Sequence, residues 1–469
     1  MERKEVLVSA AEVALQKEYM AKVREVHALR GSAVKAYVHT YGCQQNVADG
    51  ERLMGMLREM GCEFTDDTRS ADIILMNTCA IRENAEKTVY GVIGQLTHTK
   101  AANPDQIIVL CGCMVQQESV AEKIKKSYRH VDLVLGPQAE WKFPELLYTV
   151  YTKRSRVFSI EHEHGRIAED IPVYRTGGVS AWVSIMYGCN NFCSYCIVPY
   201  VRGRERSRDP QEIVAEVRGL VEAGYKEITL LGQNVNSYGK DLGIGYDFAD
   251  LLSELDTIEG DYWLRFMSSQ PKDATKKLFD TMAKCKHVAK QLHLPVQSGN
   301  DRVLRAMNRP YDRAGYMELI TYARSVMPEL VLTSDVIIGF PGETEEEAMD
   351  TVSLVREAKF DALFTFIFSP RKGTPAAKMD DPTPRGEKQK WFDTLCEVQN
   401  AYSAEKHAAY IGRTVRVLIE GESDDKDYPT SARTEGNRLV RLRGAATAGT
   451  FANVKITGSN TWALYGEVE

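Results

Sequence analysis

Cys189, Cys193 and Cys196 fall within eight consecutive residues, in the run Tyr-Gly-Cys-Asn-Asn-Phe-Cys-Ser-Tyr-Cys. Any fold of this chain has to gather three thiols at one loop. Thiolates spaced C-x3-C-x2-C can hold three irons of a four-iron cluster and leave the fourth iron without a protein ligand. A cluster built only to carry electrons has four cysteines. One with an open iron can bind a small molecule and act on it. Two other readings compete, a zinc site and inert thiols. A structural zinc site needs four ligands, usually as two C-x2-4-C pairs, and no His stands near this triplet in sequence.

The N-terminal run Met-Glu-Arg-Lys-Glu leads into a charged helical stretch with no apolar signal region. No run of about 18 apolar residues is present. A cytoplasmic protein with no membrane contact is therefore expected; a monomer is the expected state, though nothing in the sequence fixes it. Ten cysteines in such a chain point to metal or redox chemistry rather than disulfides. The net charge of −6 does not advertise nucleic-acid binding, so any polyanion site must be a local patch.

A length of 469 residues allows about three domains. The expected fold class is α/β throughout the first two. After an N-terminal helical extension (1–33), residues 34–150 alternate strand and helix. Val34–His39, Asp72–Asn77, Gln106–Leu110 and Val131–Leu135 read as strands; Glu51–Met60, Asn84–Gln95 and Gln116–Lys125 read as helices. The second and third strands are almost wholly apolar, as strands buried on both faces should be, which predicts a parallel sheet. Cys43, Cys79 and Cys113 follow or end successive strands, separated by 36 and 34 residues, one strand–helix unit each. In an open parallel sheet the loops after the strands converge at one edge. The three cysteines are therefore expected to meet, as a second open-iron cluster or as small apolar core residues. Cys111, two residues before Cys113, shares its strand face by alternation and is a rival ligand. Cys62, Cys285 and Cys396 read as core.

Residues 151–178 read as a linker. From 179 to 405 six further strands appear: Ala181–Met186, Glu227–Leu231, Trp263–Met267, Lys290–Leu294, Leu332–Ile338 and Ala362–Phe368. Six strand–helix units predict a partial (β/α)6 barrel, with the cysteine triplet just after its first strand, at the carboxyl edge where barrel chemistry is found. Glu387–Tyr410 reads as a long helix. Residues 406–469 then carry short β runs, at Thr414–Ile419, Asn437–Leu442, Asn453–Thr457 and Thr461–Leu464, and predict a small antiparallel β-barrel. Arg433, Arg438, Arg441 and Arg443 cluster there, as an RNA-binding face or as ordinary solvated charge. Arg202, Arg204, Arg206 and Arg208 give residues 201–208 a net charge of +3 directly after the cysteine loop. They are candidate phosphate contacts, or else salt bridges at a helix entry.

The triplet after the first strand of a six-unit barrel, with Tyr195 before its last cysteine, resembles the radical S-adenosylmethionine (SAM) enzymes. The run Cys196–Arg208 resembles, within them, the methylthiotransferase family. So do Thr40–Asn46 (Thr-Tyr-Gly-Cys-Gln-Gln-Asn), Asn77–Glu86 (Asn-Thr-Cys-Ala-Ile-Arg-Glu-Asn-Ala-Glu) and Gly112–Met114 (Gly-Cys-Met). Leu231–Tyr238, Leu294–Gly299 and Asp335–Thr344 complete the pattern, and the similarity runs from about residue 35 to the C-terminus. Asn77–Glu86 and Leu-Gly-Gln-Asn-Val-Asn (Leu231–Asn236) are typical of the branch that modifies isopentenyl-adenosine in tRNA. The branches acting on a ribosomal protein and on threonylcarbamoyl-adenosine differ at both places. One departure is Gln270, in Ser-Ser-Gln-Pro, where the family usually has His.

The resemblance implies two [4Fe-4S] clusters, one on Cys189, Cys193 and Cys196 and one on Cys43, Cys79 and Cys113, the last preferred over Cys111 by the Gly-Cys-Met motif. It implies reductive cleavage of SAM at the first and sulfur supply at the second. Two SAM molecules would place a methylthio group on carbon 2 of the adenine beside the anticodon. The implied partners are tRNA, read by a C-terminal TRAM domain, an external one-electron reductant and a sulfur or cluster-repair donor. Tyr195 and the strand-end residues Gln233, Ser268, Gln297 and Asp335 are the expected SAM contacts. Two rival readings are methylthiolation of a protein side chain and an iron–sulfur electron carrier with an RNA-binding tail. The second predicts no SAM cleavage on reduction.

Overall fold

The computed structural model describes residues 6–80, 83–161 and 165–469. Residues 1–5 of the N-terminal extension, 81 and 82 of the Asn77–Glu86 motif, and 162–164 of the expected linker lie outside the described residues. The chain forms two compact units. One comprises residues up to Thr176 with Met186–Asn190 and Cys196–Arg208; the other comprises Gly177–Ile185, Asn191–Tyr195 and Asp209–Glu469.

The first unit is built on a six-stranded sheet. Its strand order is Cys62–Phe64, Val34–Thr40, Ile73–Thr78, Ile107–Gly112, Leu133–Leu135 and Val157–Ser159, and every pairing is parallel. Ile73–Thr78 and Ile107–Gly112 are buried along their whole length, which is why their sequences do not alternate. One face packs Leu75 and Val109 with Leu53, Met56 and Leu57 of helix Gln44–Glu59; the other packs Ile74 and Ile108 with Val89, Ile93 and Leu96 of helix Glu83–Ala102. The N-terminal helix, Ala10–Ala28, starts at a capping box between Ser9 and Glu12 and buries Val13, Met20 and Val23.

The parallel sheet and its four expected strands are present. Two further strands were not legible, because three residues each are too few to show a period. One of them, Val157–Ser159, falls in the stretch read as a linker and instead pairs with Leu133–Leu135. A helix at Phe143–Lys153 precedes it.

The second unit contains six parallel strands in two sheets: Trp263–Phe266, Glu227–Leu231 and Ser180–Ser184, then Gln291–His293, Val331–Ile338 and Ala362–Ile367. A parallel bridge from Leu264 to Val288 links the two, so the strands follow the order expected of an open (β/α)6 barrel. Helix Glu345–Ala358 opens on a capping box, Thr344 with Glu347 three residues on, a pattern written in the sequence itself. After helix Arg385–Ala408 the chain closes into a five-stranded barrel. The strand Thr430–Thr434 was missed there. All pairings in it are antiparallel except Leu439–Leu442 with Leu464–Val468.

Arg265 ties the two barrels together. Its Nε donates to Glu227 at 2.6 Å and its Nη2 to the Thr434 carbonyl at 3.0 Å. Both side chains are buried, so removing the guanidinium leaves a carboxylate without its partner in low dielectric. Arg265→Ala is expected to cost about 3–5 kcal/mol, read as a lowered Tm in thermal unfolding. Glu227→Gln with Arg265→Ala should recover part of that loss.

Candidate functional site

The turn after each of three adjacent strands of the first unit carries a cysteine. Cys43 is the N-cap of helix Gln44–Glu59, where helix dipole and free amides favour a thiolate. The Cys79 thiol donates to Cys43, and with the nearby Arg202 this pulls Cys43 down to about 6 against the opposing effect of burial. Cys113 is pushed up to about 12 by burial, with Arg202 opposing. Of Cys43 and Cys113, Cys43 is the one whose surroundings favour the thiolate. Asn46 brackets it, its Oδ1 accepting from Cys43 Sγ at 3.3 Å while its Nδ2 donates to Asn77 and to the Thr78 carbonyl at 3.1 and 3.2 Å.

Cys111 and Cys113 do not share a face, contrary to strict alternation. The strand ends at Gly112, whose φ is +92°, and a Cβ there would lie 2.4 Å from Asn77 Oδ1 and from the Thr78 carbonyl oxygen. The chain turns at that residue. Cys111 stays in the sheet core with its Sγ 3.6 Å from the Met76 carbonyl, and burial raises its thiol well above the ordinary value. Cys113 packs instead with Ala80, Ile197 and Val201. Cys62 is core, beside His27.

The Cys189–Cys196 loop is anchored residue by residue. Cys189 N donates to the Gly203 carbonyl at 3.1 Å, and Asn190 N to Glu205 at 3.1 Å. Gly188, at φ +81°, allows this approach, because a Cβ would sit 2.0 Å from the Arg204 carbonyl oxygen. Within the second unit, Asn308 Nδ2 holds the Asn191 and Phe192 carbonyls at 3.2 and 2.9 Å. Ser194 Oγ donates to Ala306 at 2.8 Å. Arg309 is buried and donates to Cys193 Sγ at 3.4 Å and to the Pro295 carbonyl at 2.9 Å. Among the described residues, no three His, Cys, Asp or Glu surround a single point as one metal ion would require. A four-iron cluster asks instead that each thiol reach its own iron.

Of the expected SAM contacts, Gln233, Ser268 and Gln297 lie just beyond the carboxyl ends of barrel strands, whereas Asp335 sits inside the strand Val331–Ile338 and not at its end. Ser268 and Gln297 adopt left-handed backbone at φ 69° and 72°, a strained state that recurs at functional sites. Gln233 is half-buried, Tyr195 packs with Met307 and Phe340, and Asp335 lies 3.4 Å from His293 Nε2. Close by in sequence, Asn234 Oδ1, both amide atoms of Asn236, Ser269 Oγ and Gln270 Nε2 are buried with no partner among the described residues. Buried polar atoms are rarely left so, and a polar ligand at the barrel mouth fits them. Gln270 caps the Pro271–Asp273 turn through its Oε1, which fixes its amide and leaves only the nitrogen to offer.

The arginine readings need correction. Arg202, Arg206 and Arg208 are buried inside the protein, not presented to phosphate. Arg208 makes a bidentate pair with Glu169, and Arg206 donates to the carbonyls of Arg202 and Arg204. Only Arg204 of this run is exposed. In the small barrel Arg438 is likewise buried, against Asp361. Arg433 is half-exposed and paired with Glu420 at 3.0 Å, Arg441 is half-buried and donates to Ser423, and Arg443 is exposed.

Residues 35–136 match the uncharacterized protein family UPF0004, 183–355 the Radical SAM superfamily and 408–468 the TRAM domain. The tRNA-2-methylthio-N(6)-dimethylallyladenosine synthase of Acetivibrio thermocellus is 46% identical over 472 residues, covering 100% of this chain and 98% of that protein. The chain belongs to this synthase family. The synthases of Clostridium botulinum strain Langeland and Thermoanaerobacter sp. strain X514 are 48% and 45% identical, over 92% and 99% of this chain and 96% and 98% of theirs. Among solved structures, the radical SAM methyltransferase TsrM from Kitasatospora setae aligns with a TM-score of 0.54 at 15% identity, over 74% of this chain and 75% of that one. The cobalamin-dependent OxsB aligns at 0.51 and 12%, over 78% and 56%. Both likenesses concern fold alone. As a radical SAM family the synthases use a [4Fe-4S] cluster and SAM.

Sequence reading passed over several buried polar residues in each unit. Gln45 and Asp49 stand four apart on one helix and their side chains bond at 3.0 Å, a spacing that is visible in sequence but unremarkable there. Arg309 had no local signal at all. Glu343, in the Gly-Phe-Pro-Gly-Glu-Thr run, accepts from the backbone amides of Gly339 and Phe340. Burial raises its carboxyl to about 7 from an ordinary 4.5. The folded chain thus holds an extra proton between those values, and the stability this gives is full below 4.5 and lost as pH rises through 7. Lowering pH from about 7.5 to 5.5 should stabilise the wild type relative to Glu343→Gln by about 2 kcal/mol, read by denaturant titration at each pH.

Proposed function

We propose that the chain adds a methylthio group to carbon 2 of N6-isopentenyl-adenosine next to the anticodon of tRNA, using two SAM molecules. What carries the reading is identity of 45–48% across nearly full-length synthases, from the sheet domain through the TRAM domain. When bound, an under-ligated four-iron cluster on Cys189, Cys193 and Cys196 supplies one-electron cleavage of SAM, and a second on Cys43, Cys79 and Cys113 supplies sulfur.

The chain's own residues do the rest. Asn308, Ser194 and Arg309 fix the outer part of the cysteine loop, so that its thiols meet a cluster without rearrangement. Tyr195, Gln233, Ser268, Gln297 and Asp335 hold SAM, helped by the unpartnered amide nitrogens of Asn236 and Gln270. The N-cap position of Cys43 and the thiol of Cys79 keep a thiolate ready in the sheet domain. Arg204, Arg433, Arg441 and Arg443, which are exposed or partly exposed, would contact RNA. A low-potential one-electron reductant and a sulfur or cluster-repair donor act from outside, on a monomeric, cytoplasmic enzyme.

Two measurements test this. Nucleoside mass spectrometry of tRNA should show 2-methylthio derivatives of isopentenyl-adenosine lost when the gene is deleted; an unchanged profile rejects the substrate. Anaerobic reconstitution should load about eight irons per chain, falling to about four in the Cys43→Ala, Cys79→Ala, Cys113→Ala variant.

A further inference from the structure

Arg202 ends the short helix Val198–Arg202, and its side chain is only 6% exposed. Its Nε donates to Cys113 Sγ at 3.0 Å and its Nη2 to Asp49 Oδ2 at 2.6 Å. Asp49 is held in turn, since Gln45 Nε2 donates to its other oxygen at 3.0 Å. All four side chains belong to the first unit, and Asp49 is itself 3% exposed. A guanidinium this deep is stabilised only by specific partners. Here they are one carboxylate and one thiol of the trio, each engaged by a different nitrogen of the planar fork.

Cluster potentials respond to net charge and to hydrogen bonds on the ligand sulfurs. We infer that Arg202 and Asp49 are a positioning couple for the cluster on Cys43, Cys79 and Cys113. The guanidinium orients the Cys113 thiolate and offsets the charge gained on reduction, while Asp49 limits that offset. The inference rests on the two-cluster reading above. Reduction takes one electron from a low-potential one-electron donor, adds one negative charge to the cluster and makes or breaks no bond. A positive charge close by in low dielectric favours the reduced form, and a negative one opposes it.

The couple therefore makes opposite predictions for its two members. The full-length chain carrying Cys189→Ala, Cys193→Ala and Cys196→Ala, reconstituted anaerobically, isolates this cluster. Dithionite titration followed by electron paramagnetic resonance gives its midpoint potential. Arg202→Gln should lower the potential and Asp49→Asn should raise it, each changing the reduced-to-oxidised ratio at a fixed potential about tenfold, or about 59 mV. The double variant should return toward the parent value. A merely structural role for Arg202 predicts no such opposition of sign. Iron retained at about four per chain with both midpoints unmoved overturns the inference. Should Arg202→Gln lose its iron, the sign of the Asp49→Asn shift decides alone: a rise supports the couple, and no change or a fall rejects it. A parent variant that binds no iron rejects the two-cluster reading instead.

Discussion

Parallel strand pairing is the constraint on which the rest of this protein depends. When neighbouring strands run the same way, every strand must be followed by a crossover, and the turns that begin those crossovers all leave from one edge. Val34–Thr40, Ile73–Thr78 and Ile107–Gly112 are adjacent in the sheet, and the turn after each carries Cys43, Cys79 or Cys113. The same rule in the second unit sets Gln233, Ser268 and Gln297 at the carboxyl ends of successive strands. Topology thus brings to one edge residues that stand 29 or more positions apart, before any side-chain preference acts.

Close backbone approach turns that convergence into a defined site. Gly112 is the clearest case, since a side chain there would collide with Asn77 and Thr78. Its left-handed φ ends the alternation of the strand, sending Cys111 into the core and Cys113 out of it. Gly188 does the equivalent for the cysteine loop, against the Arg204 carbonyl. Around these turns the protein invests buried charge. Arg202 and Arg309 each place a guanidinium on a cysteine sulfur, Arg202 balanced by Asp49 and Arg309 by carbonyl and phenol oxygens. Both cations are desolvated, so their positions are narrowly specified by the few partners they have.

The same burial explains which readings of the sequence succeeded. Apolar runs marked the central strands because burial on both faces removes polar residues. The Thr344–Glu347 capping box was legible because it is satisfied within four residues. The strands Cys62–Phe64 and Val157–Ser159 were not, because three residues show no period and their place depends on a neighbour already in the sheet. The arginines after Cys196 misled for a related reason. A run of positive charge looks like a surface patch, yet Asp49 and Glu169, distant in sequence, draw Arg202 and Arg208 inside.

By itself the sequence determined the alternating architecture, the six cysteines worth attention and the family, since each is written in local period, spacing or contiguous motif. Only the tertiary structure decided which face Cys111 and Cys113 take, which arginines are buried, and that Gln45, Asp49 and Arg202 form one chain of contacts ending on Cys113. The contacts of Cys111 with Met76, and of Arg202 with Cys113 and Asp49, join residues from 35 to more than 150 positions apart. Such contacts exist only once the sheet has brought the partners together and water has been excluded from between them.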